Sequence, residues 1–401
     1  MPHVYIKEID STIPGTNPEN TNVVYIPGVV EQGSSLELNT PTPFSRVSAF
    51  KEAITGDKKG TISAKNINAV MALNLLRLGF VVLFESFGTL SNDTDWAEIA
   101  SMVDWSKLID RGLYRVKYLT AGAASSLSLA SDMIACAARR GDCIALIDHD
   151  KDIEVASGET VAETIFESFA ELVESDGAKY GAAFSPWCKC SLEEGSYELP
   201  GSFVFLGALA NSIKGQNPSW FAAAGSVRGK APFDIEPLYK FGDADCAILQ
   251  GRHFTEEGDF DEDDNYQTWA INPISNIDPF GNIVWGNRTL MFNENGLSAS
   301  SFLNIRNLVC DLKKVLYNAS RKFTFEQNSD ILWFNFSSEI TPLLDRALSG
   351  SGIRGYKLTQ EQTEVKGRLK ARVRIIPIEA VEDFDLTVEL TDSLTTVVEN
   401  A

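Results

Sequence analysis

Apolar strands alternate with helices through the middle of the chain, and this pattern constrains the fold more than any other feature. Between residues 65 and 215, continuous apolar runs such as FVVLFES, CIALIDHD and YGAAFSPW are separated by stretches with helical periodicity. Strands that are apolar along their whole length are typical of parallel sheets, whose two faces are covered by the connecting helices. The sequence therefore predicts an α/β fold in which the middle of the chain forms a parallel-type βαβ domain.

The last third of the chain has a different order, with helices first and strands afterwards. SFLNIRNLVCDLKKVLYNASRKF and WFNFSSEITPLLDRALSG have helical periodicity, and GYKLTQ and two alternating runs follow them. This order is typical of an α+β unit. We therefore predict an N-terminal strand arm and linker at 1–20, an α/β domain at 21–215, a loop-rich connecting segment at 216–300, a C-terminal α+β domain at 301–382 and a C-terminal strand arm at 383–401. The first strand and helix of the α/β domain are also compatible with packing on the C-terminal domain.

The two alternating runs raise the question of what they pair with. The first run alternates apolar with basic residues: Leu369, Ala371, Val373 and Ile375 with Arg368, Lys370, Arg372 and Arg374. The second alternates apolar with acidic and polar residues: Phe384, Leu386, Val388 and Leu390 with Asp385, Thr387, Glu389 and Thr391. Period-two alternation indicates strands with one buried face, and opposite charges favour pairing across a ladder. A long strand at a sheet edge near a terminus also invites pairing with another chain.

Composition excludes several classes of function. A length of 401 residues suits two or three domains, and 44% hydrophobic and 22% charged residues are typical of a globular protein. The net charge of -20 argues against a nucleic-acid binder, because such a protein must neutralise phosphates. No apolar run is long enough for a transmembrane helix, and the opening MPHVYIKEID lacks the pattern of a signal peptide. We therefore expect no membrane insertion, and a reducing cytoplasm in which the six cysteines remain thiols.

One group of polar residues lies where an α/β enzyme binds its substrate. Asp148, His149 and Asp150 end a predicted parallel strand, and ligands bind at the carboxyl ends of such strands. The chain has only three histidines, however, and no phosphate-binding, nucleophile-elbow or zinc-protease motif. An α/β enzyme with a site at these three residues therefore remains an alternative, and a polar strand end is the interpretation that we favour.

Two further patterns resemble metal sites without completing them. Cys188 and Cys190 form a CxC pair, but a structural zinc site needs two more ligands and no second cysteine pair is present. The DxDxD spacing at 259–263 matches the first ligands of a calcium loop, yet Asp264 and Ala270 occupy the positions that require Gly and Glu. We therefore expect no metal and no cofactor, and we interpret the acidic run EEGDFDEDD as a solvated loop or an electrostatic contact surface.

Several segments, taken in order, resemble the contractile-tail sheath proteins of phages and related injection devices. The opening PHVYIKEID and the stretch TNVVYIPGVVEQGSSLELNTPTPFSRVSAFKEAITG are similar to the amino-terminal pattern of that family. NPSWFAAAGSVRG at 217–229 resembles the segment before its inner domain, and INPISNIDPFGNIVWGNRTL at 271–290 is the most characteristic stretch. FLNIRNLVCDLKKVL, FTFEQN, WFNF and GSGIRGYKLT follow in the family's order. Residues 65–200 resemble the family in pattern only.

This resemblance implies a structural protein rather than an enzyme. Sheath subunits of the family stack as six-fold rings around an inner tail tube, and a baseplate trigger makes the sheath contract and drive the tube through the target envelope. The implied partners are further copies of the chain, the inner tube protein, and the baseplate and tail terminator proteins. The implied location is the virion tail, assembled in the bacterial host cytoplasm. The sequence leaves open whether the particle is a phage, a bacteriocin or a secretion device.

The resemblance also implies that terminal strands are exchanged between subunits. The expected N-terminal arm contains Val4, Tyr5, Ile6 and Ile9, and the expected C-terminal arm contains Phe384, Leu386, Val388 and Leu390. We further predict inter-subunit charge pairing that involves the basic residues Arg368, Lys370, Arg372 and Arg374 and the acidic residues Asp385 and Glu389. A non-contractile strand-swapping tube or shell protein is a second alternative, beside the α/β enzyme.

Overall fold

The computed structural model describes residues 22–92, 94–155, 157–175, 177–251, 267–294, 296–362, 364 and 368–380. The strands are β1 Val23–Val30, β2 Thr42–Phe44, β3 Val81–Thr89, β4 Tyr118–Leu119, β5 Ile144–Asp148, β6 Gly181–Ser185, β7 Cys188–Leu192, β8 Gly195–Leu199, β9 Asp234–Pro237, β10 Ile271–Ile277, β11 Gly281–Val284, β12 Ile353–Glu361 and β13 Lys370–Pro377. The helices are α1 Val47–Thr55, α2 Ile67–Leu78, α3 Trp96–Ser101, α4 Leu127–Arg140, α5 Val161–Ser168, α6 Ala170–Val173, α7 Gly201–Lys214, α8 Gly225–Arg228, α9 Asp243–Leu249, α10 Leu303–Lys322 and α11 Asp330–Ser349.

An eight-stranded sheet forms the centre of the molecule, in the order β11-β10-β6-β5-β4-β1-β3-β2. The six inner strands pair in parallel, and an antiparallel strand closes each side, β11 beside β10 and β2 beside β3. Two smaller antiparallel sheets contain β8-β7-β9 and β12-β13. The predicted α/β class, with a parallel sheet and a C-terminal unit of two helices followed by strands, is confirmed.

The parallel sheet is buried on both faces, as its apolar strands require. Along β1, Val24 and Ile26 join one hydrophobic cluster, and Val23 and Tyr25 join the cluster on the opposite face. Helices α2 and α7 contribute to the first cluster, and α4 and α5 contribute to the second. The alternation of side chains along a strand therefore divides the core into two layers, one on each side of the sheet.

Helices were predicted more accurately than the ends of short strands. The predicted helix SSLSLASDMIACAARRG is α4, and it ends as expected at Gly141, which adopts a φ of 70°. The stretch TPFSRVSAFKEAITG was expected to be helical throughout, but 42–44 pairs with β3 and the helix begins at Val47. The predicted strand YRVKYLT contributes only two residues to β4. The small sheet of β7, β8 and β9 was not predicted; β7 and β8 form a short hairpin, and β9 pairs with β7 from more than 40 residues further along the chain.

The stretch at 271–290 forms β10, β11 and the connection to α10. Asn272 Nδ2 donates to the carbonyls of Ala183 and Arg288, at 2.8 and 2.9 Å, while its Oδ1 accepts from the Arg288 amide at 2.7 Å. At Gly286, a Cβ atom would lie 2.8 Å from Asn272 Cα, so this close approach requires glycine. One buried amide side chain thus joins three segments of backbone.

Asn287 supplies the N-terminal cap of α10 from outside the helix. Its carbonyl accepts from the Leu303 amide at 2.9 Å, and its Oδ1 accepts from the Asn304 amide at 3.1 Å. Its Nδ2 donates to Asn304 Oδ1 at 2.8 Å. Two of the four amides that a helix start leaves without partners are therefore satisfied by this one residue. The direction in which α10 leaves the α/β domain depends on it.

We expect Asn287→Ala to lower the free energy of unfolding by about 1–3 kcal/mol, because the buried Asn304 side chain and amide lose their partner. Urea denaturation of the soluble subunit measures this change. Asn211→Ala is the matched control, since Asn211 is exposed and donates one hydrogen bond, to the Lys230 carbonyl at 3.0 Å. Equal midpoints for the two variants would show that α10 does not depend on this cap.

Candidate assembly surface

Two helices and a β-hairpin form the C-terminal unit that carries the predicted assembly residues. In the hairpin, Tyr356 lies opposite Ile375 and Leu358 lies opposite Val373. These four side chains pack on a cluster from both helices that contains Ala319, Phe336, Ile340 and Leu344. The prediction that the first alternating run is a strand is therefore confirmed, and its inward-facing Val373 and Ile375 are partly buried. Its partner is β12, while the acidic run lies outside the described residues.

The other face of β13 presents the basic residues. Lys370 Nζ lies 2.8 Å from Glu361 Oε2, and Arg372 Nε lies 2.5 Å from Glu361 Oε1. The hydrogen bond from Lys370 and the positive charge of Arg372 lower the pKa of Glu361. Within the described part of the chain, Arg368 and Arg374 form no ion pair. Half of the basic set thus has an acidic partner on the same hairpin, and the predicted pairing with Asp385 and Glu389 remains a prediction.

Among the described residues, no strand pairs with either outer edge of the hairpin, because β12 and β13 pair only with each other. Unpaired edge strands present rows of amides and carbonyls that accept a further strand. Two such edges would accept two arms. Both predicted arms lie outside the described residues, the N-terminal one from Val4 to Ile9 and the C-terminal one from Phe384 to Leu390.

A groove with a volume of about 460 Å³ runs along the start of β13. Its apolar lining comes from Leu369, Ala371 and Val373 of the alternating run and from Phe323, just after α10, and Phe336 on α11. Polar side chains, among them Glu326 and Asn328, also line it. The groove thus lies against the same face of the alternating run that enters the hydrophobic cluster, and this mixed lining suits a strand that carries both apolar and polar side chains.

Large apolar side chains are exposed beside this groove. Phe325, which also lines it, is fully exposed and has a φ of 74°, which is rare for a residue other than glycine. Ile331 and Phe334 at the start of α11 are 71% and 67% exposed. Exposed apolar patches of this kind mark surfaces that bind another protein. These residues were not recognised in the sequence, because helical periodicity alone does not distinguish a core position from an interface position.

A buried ion pair connects this unit to the α/β domain. Lys117, which has no exposed surface, donates to Asp311 Oδ2 on α10 at 2.7 Å, and the Ser219 hydroxyl donates to the same oxygen at 2.6 Å. Next to it, the Tyr118 hydroxyl donates to Asn307 Oδ1 at 2.6 Å. Since α10 is held at several points along its first half, the hairpin at the far end of the unit has a fixed position relative to the sheet.

The strand-end residues Asp148, His149 and Asp150 are organised as a structural network. His149 is buried, its Nδ1 lies 2.6 Å from the Asp150 carbonyl oxygen, and its Nε2 lies 3.0 Å from the Ser185 hydroxyl. A carbonyl can only accept, so Nδ1 carries the proton and Nε2 accepts from Ser185. Burial lowers the pKa of His149 to about 4. A serine and a histidine in contact resemble a nucleophile and its base, but both side chains are buried and the orienting group is a backbone carbonyl.

Asp148, the last residue of β5, lies beside the start of α7 and connects that helix to the sheet. Its Oδ1 accepts from the Ser202 amide at 2.8 Å and its Oδ2 accepts from the Ser202 hydroxyl at 2.6 Å. Burial raises the pKa of Asp148 to about 7, although both hydrogen bonds favour the ionised form. These contacts give Asp148 a role in positioning α7, and they use both of its oxygens.

The two cysteines of the CxC pair occupy alternate positions of β7. Cys188 and Cys190 are buried in the hydrophobic core while Lys189 between them is exposed. Burial raises the pKa of both thiols, which disfavours the thiolate that binds metals. Within the described ranges, no cluster of three or more potential metal-ligating side chains is found, and no helix has the length and apolarity needed to span a membrane.

Comparison with known proteins supports the resemblance at the level of the fold. Neither a protein-family model nor a curated protein matches the sequence. Among solved structures, the PVC sheath complex of an extracellular contractile injection system, in its contracted state, aligns with a TM-score of 0.64 at 18% identity, over 99% of this chain and 98% of that one. The helical sheath of the anti-feeding prophage, also contracted, aligns with a TM-score of 0.58 at 17% identity, over 98% and 99%. The sheath tail protein from Desulfitobacterium hafniense aligns with a TM-score of 0.53 at 9% identity, over 94% and 100%.

The chain has the sheath-protein fold. Because both chains of each pair are covered almost from end to end, the likeness includes the α/β domain and the C-terminal unit together. The proteins that it resembles are a sheath of a contractile injection system, the sheath of the anti-feeding prophage and a sheath tail protein.

We expect Asp148→Asn to change the pH dependence of stability. In the unfolded chain this carboxyl ionises near pH 4, whereas in the folded chain its pKa is about 7. The stabilisation by protonated Asp148 is therefore complete below about pH 4 and is lost as the pH rises through about 7. Asparagine carries no such proton and still accepts from the Ser202 amide. The variant should thus gain stability relative to the wild type as the pH rises from about 5 to 6.5, by at most about 1.4 kcal/mol per pH unit.

Urea denaturation of both proteins across this pH range measures the difference. The protonation of His149 acts with the opposite sign and is present in both proteins, so it cancels in the comparison. A difference that does not vary with pH would mean that Asp148 is ionised in the fold and that the N-terminus of α7 compensates for its burial.

Proposed function

We propose that this protein is the repeating subunit of a contractile sheath, which polymerises as a six-fold helical tube around an inner tail tube and contracts to drive that tube through a target envelope. The observation that carries the proposal is the near-complete fold likeness to sheath proteins, over the α/β domain and the C-terminal unit alike. The β12–β13 hairpin adds a physical means of assembly. In this proposal the protein acts without catalysis, a cofactor or a metal.

Strand exchange holds the subunits together in this proposal. The C-terminal arm of one copy, Phe384 to Leu390, and the N-terminal arm of another, Val4 to Ile9, each add to an outer edge of the β12–β13 hairpin. Main-chain hydrogen bonds provide affinity for an added strand, and pockets for alternate side chains fix its register. The groove lined by Leu369, Ala371 and Val373 is such a pocket. The result is a continuous network in which each subunit is connected to its neighbours.

Contraction needs a second arrangement of the same subunits at lower free energy. A wide α/β domain fixed to a small strand-exchanging unit suits this requirement, because whole subunits can rotate while their arms stay paired. A difference of only a few kcal/mol per subunit is sufficient, since it is multiplied over many copies. The proposed partners are the inner tube protein and the baseplate and tail terminator proteins, and the proposed place of assembly is the bacterial host cytoplasm. Genome ejection would be the outcome in a phage.

Burial argues against the enzyme alternative at Asp148, His149 and Asp150. Asp148 and His149, with the Ser185 that contacts His149, are at most 2% exposed, so a substrate cannot reach them without rearrangement of the core. Asp150 is exposed, and it contributes only its backbone carbonyl to the contact with His149. The hydrogen bonds of the buried side chains hold strands and helices together. A static strand-swapping tube has the same assembly surface as a sheath, and it differs in having one lattice instead of two.

We expect full-length protein to form striated tubes in negative-stain electron microscopy, and protein that ends at Asp383 to remain as soluble subunits. A sharper pair of variants tests the register of the arm. Leu386→Asp with Val388→Asp places charge on its apolar side and should prevent tube formation. Thr387→Asp with Thr391→Asp adds the same charge on the other side and should allow it. If the truncated chain also formed tubes, donation of the C-terminal strand would not be the basis of assembly.

Charge reversal at Arg368 and Arg374, which form no ion pair with the described residues, tests the electrostatic part of the interface. Arg368→Glu with Arg374→Glu should abolish or strongly weaken assembly, because acidic residues of a neighbouring arm would meet like charge. Lys58→Glu with Lys59→Glu changes the net charge by the same amount in the exposed turn after α1, and it should have little effect. Sedimentation of assembled material at several salt concentrations measures both. If the Arg368 and Arg374 variant assembles like the control, these residues do not contribute to the interface.

A further inference from the structure

A small basic cavity lies where α10 passes the end of α4 and the loop that follows residue 109. Five cationic side chains line it: Arg111, Arg115, Arg140, Lys314 and Arg321. Asp142 is the one carboxylate among the lining residues. The cavity has a volume of about 60 Å³, which is sufficient for one small oxyanion or a few water molecules. Such a cluster of like charges is unusual in a chain with a net charge of -20.

The single carboxylate does not balance this charge. Asp142 is already bound by Arg140, with Nε 3.0 Å from Oδ1 and Nη2 3.3 Å from Oδ2. Arg111 Nε lies 4.0 Å from the same Oδ1, at the limit of an ion pair. Within the described residues, Arg115, Lys314 and Arg321 form no ion pair. An excess of positive charge therefore faces the cavity.

Lys314 is the most informative member of the cluster. Its Nζ is buried, lines the cavity and has no hydrogen-bond partner within the described part of the chain. Burial and the charge of Lys117 lower the pKa of Lys314 to about 8. A buried ammonium without a partner is unfavourable, and an anion in the cavity would remove this cost.

Two of the lining arginines lie beside Tyr317, which also lines the cavity. The guanidinium groups of Arg111 and Arg321 lie 6.0 and 5.8 Å from the centroid of the Tyr317 ring. Arg321 Nη1 lies 3.9 Å from the place where Gly112 would carry a Cβ atom, so the loop passes close to this group. Guanidinium groups bind phosphate and carboxylate with two parallel hydrogen bonds, which favours these ligands over halides.

We propose that this cavity binds an oxyanion, a phosphate or a carboxylate group, between the Lys314 ammonium and the Arg111 and Arg321 guanidinium groups. Two sources have this chemistry, free inorganic phosphate and an acidic side chain of a second copy of this chain. The site joins the α/β domain to α10, so its occupant adds a contact between the two parts of the subunit. Occupancy by free phosphate does not depend on the proposed function, whereas occupancy by a second copy does.

The alternative to a bound anion is an ion pair within the chain, between Lys314 and Asp311. Asp311 Oδ1 also has no hydrogen-bond partner in the described part of the structure, and its charge acts on Lys314. If Lys314 pairs with Asp311 instead of a ligand, the cavity has no specific affinity for an oxyanion. Removing the lysine then leaves the response to phosphate unchanged.

Isothermal titration calorimetry of the full-length subunit with inorganic phosphate, against sodium chloride at equal ionic strength, tests the proposal. The wild type should bind one phosphate, and Lys314→Met should bind it at least about tenfold more weakly, since one charge-assisted hydrogen bond is lost. This variant is expected to fold, because methionine fills the space of a buried ammonium that has no partner. Arg321→Gln should also weaken binding, while its neighbour Lys322→Gln, which removes an exposed pair with Glu339 and a contact with the Phe323 ring away from the cavity lining, should not.

Repeating the titration with assembled tubes identifies the source. Phosphate bound by free subunits but not by tubes assigns the cavity to an acidic side chain of a second copy, and phosphate bound by both assigns it to a free anion. The titration of free subunits remains decisive if no tubes form, so failure of the proposed function is distinguishable from failure of the site. Equal affinity in the wild type, Lys314→Met and Arg321→Gln, or no binding to any of them, would overturn the proposal.

Discussion

The buried ion pair between Lys117 and Asp311 is the contact on which the arrangement of the whole molecule depends. Burial opposes the ionisation of Asp311, but the charge and hydrogen bond of Lys117 outweigh it and lower the pKa of Asp311. An ion pair at such a depth gains little net stability over an apolar pair, yet loss of one partner costs about 3–5 kcal/mol because the other charge stays buried. The pair therefore specifies one position of α10 on the α/β domain, and alternatives are strongly disfavoured.

Everything in the proposed assembly surface follows from that position. The first half of α10 is largely buried against the α/β domain, from Leu303 to Cys310, whereas most of the second half is partly exposed and carries α11 and the hairpin. A helix of this length extends about 30 Å, so a small change in its direction would move the hairpin edges by several ångströms. The Asn287 cap at its start and the contact of Lys313 Nζ with the Gly141 carbonyl, at 2.8 Å, resist such a change. In the proposed sheath, a subunit built in this way would move as one body.

The elements that were predicted correctly are those whose signal is local. The helices α4, α10 and α11 each bring one apolar face, α7 is apolar and buried around most of its surface, and β5 is apolar up to Asp148, so burial and pattern agree within a single segment. The missing parts depend on partners that are distant in sequence. Cys188, Lys189 and Cys190 alternate between buried and exposed as a strand requires, but this pattern is too short to distinguish a strand from a metal motif. Lys117 belongs to a predicted strand, but nothing in the sequence indicates that its partner lies on a helix nearly 200 residues away.

The candidate assembly surface could be predicted only in part from the sequence, for the same reason. Alternation around Val373 and Ile375 predicted which face of the strand is buried, because that property is a matter of period alone. It did not identify β12 as the partner, and it did not reveal that Glu361 binds Lys370 and Arg372, because register is fixed by pairing and not by composition. The exposure of Phe325 and Phe334 can be recognised only from the packed structure. An apolar interface residue and an apolar core residue have the same sequence signal.

The stretch at 271–290, which carries much of the sequence resemblance, contains side chains whose roles are fixed by backbone geometry. Asn272 satisfies three backbone groups at once, and only an amide of this length can do so from its position. Gly286 lies where any side chain would collide with Asn272, and Asn287 binds the first amides of α10. Core positions tolerate many apolar side chains of suitable volume, whereas these positions tolerate very few. A sheath-type fold at 18% identity to a solved sheath is therefore consistent with motifs that occur in this connection, because the connection sets where the assembly unit leaves the sheet.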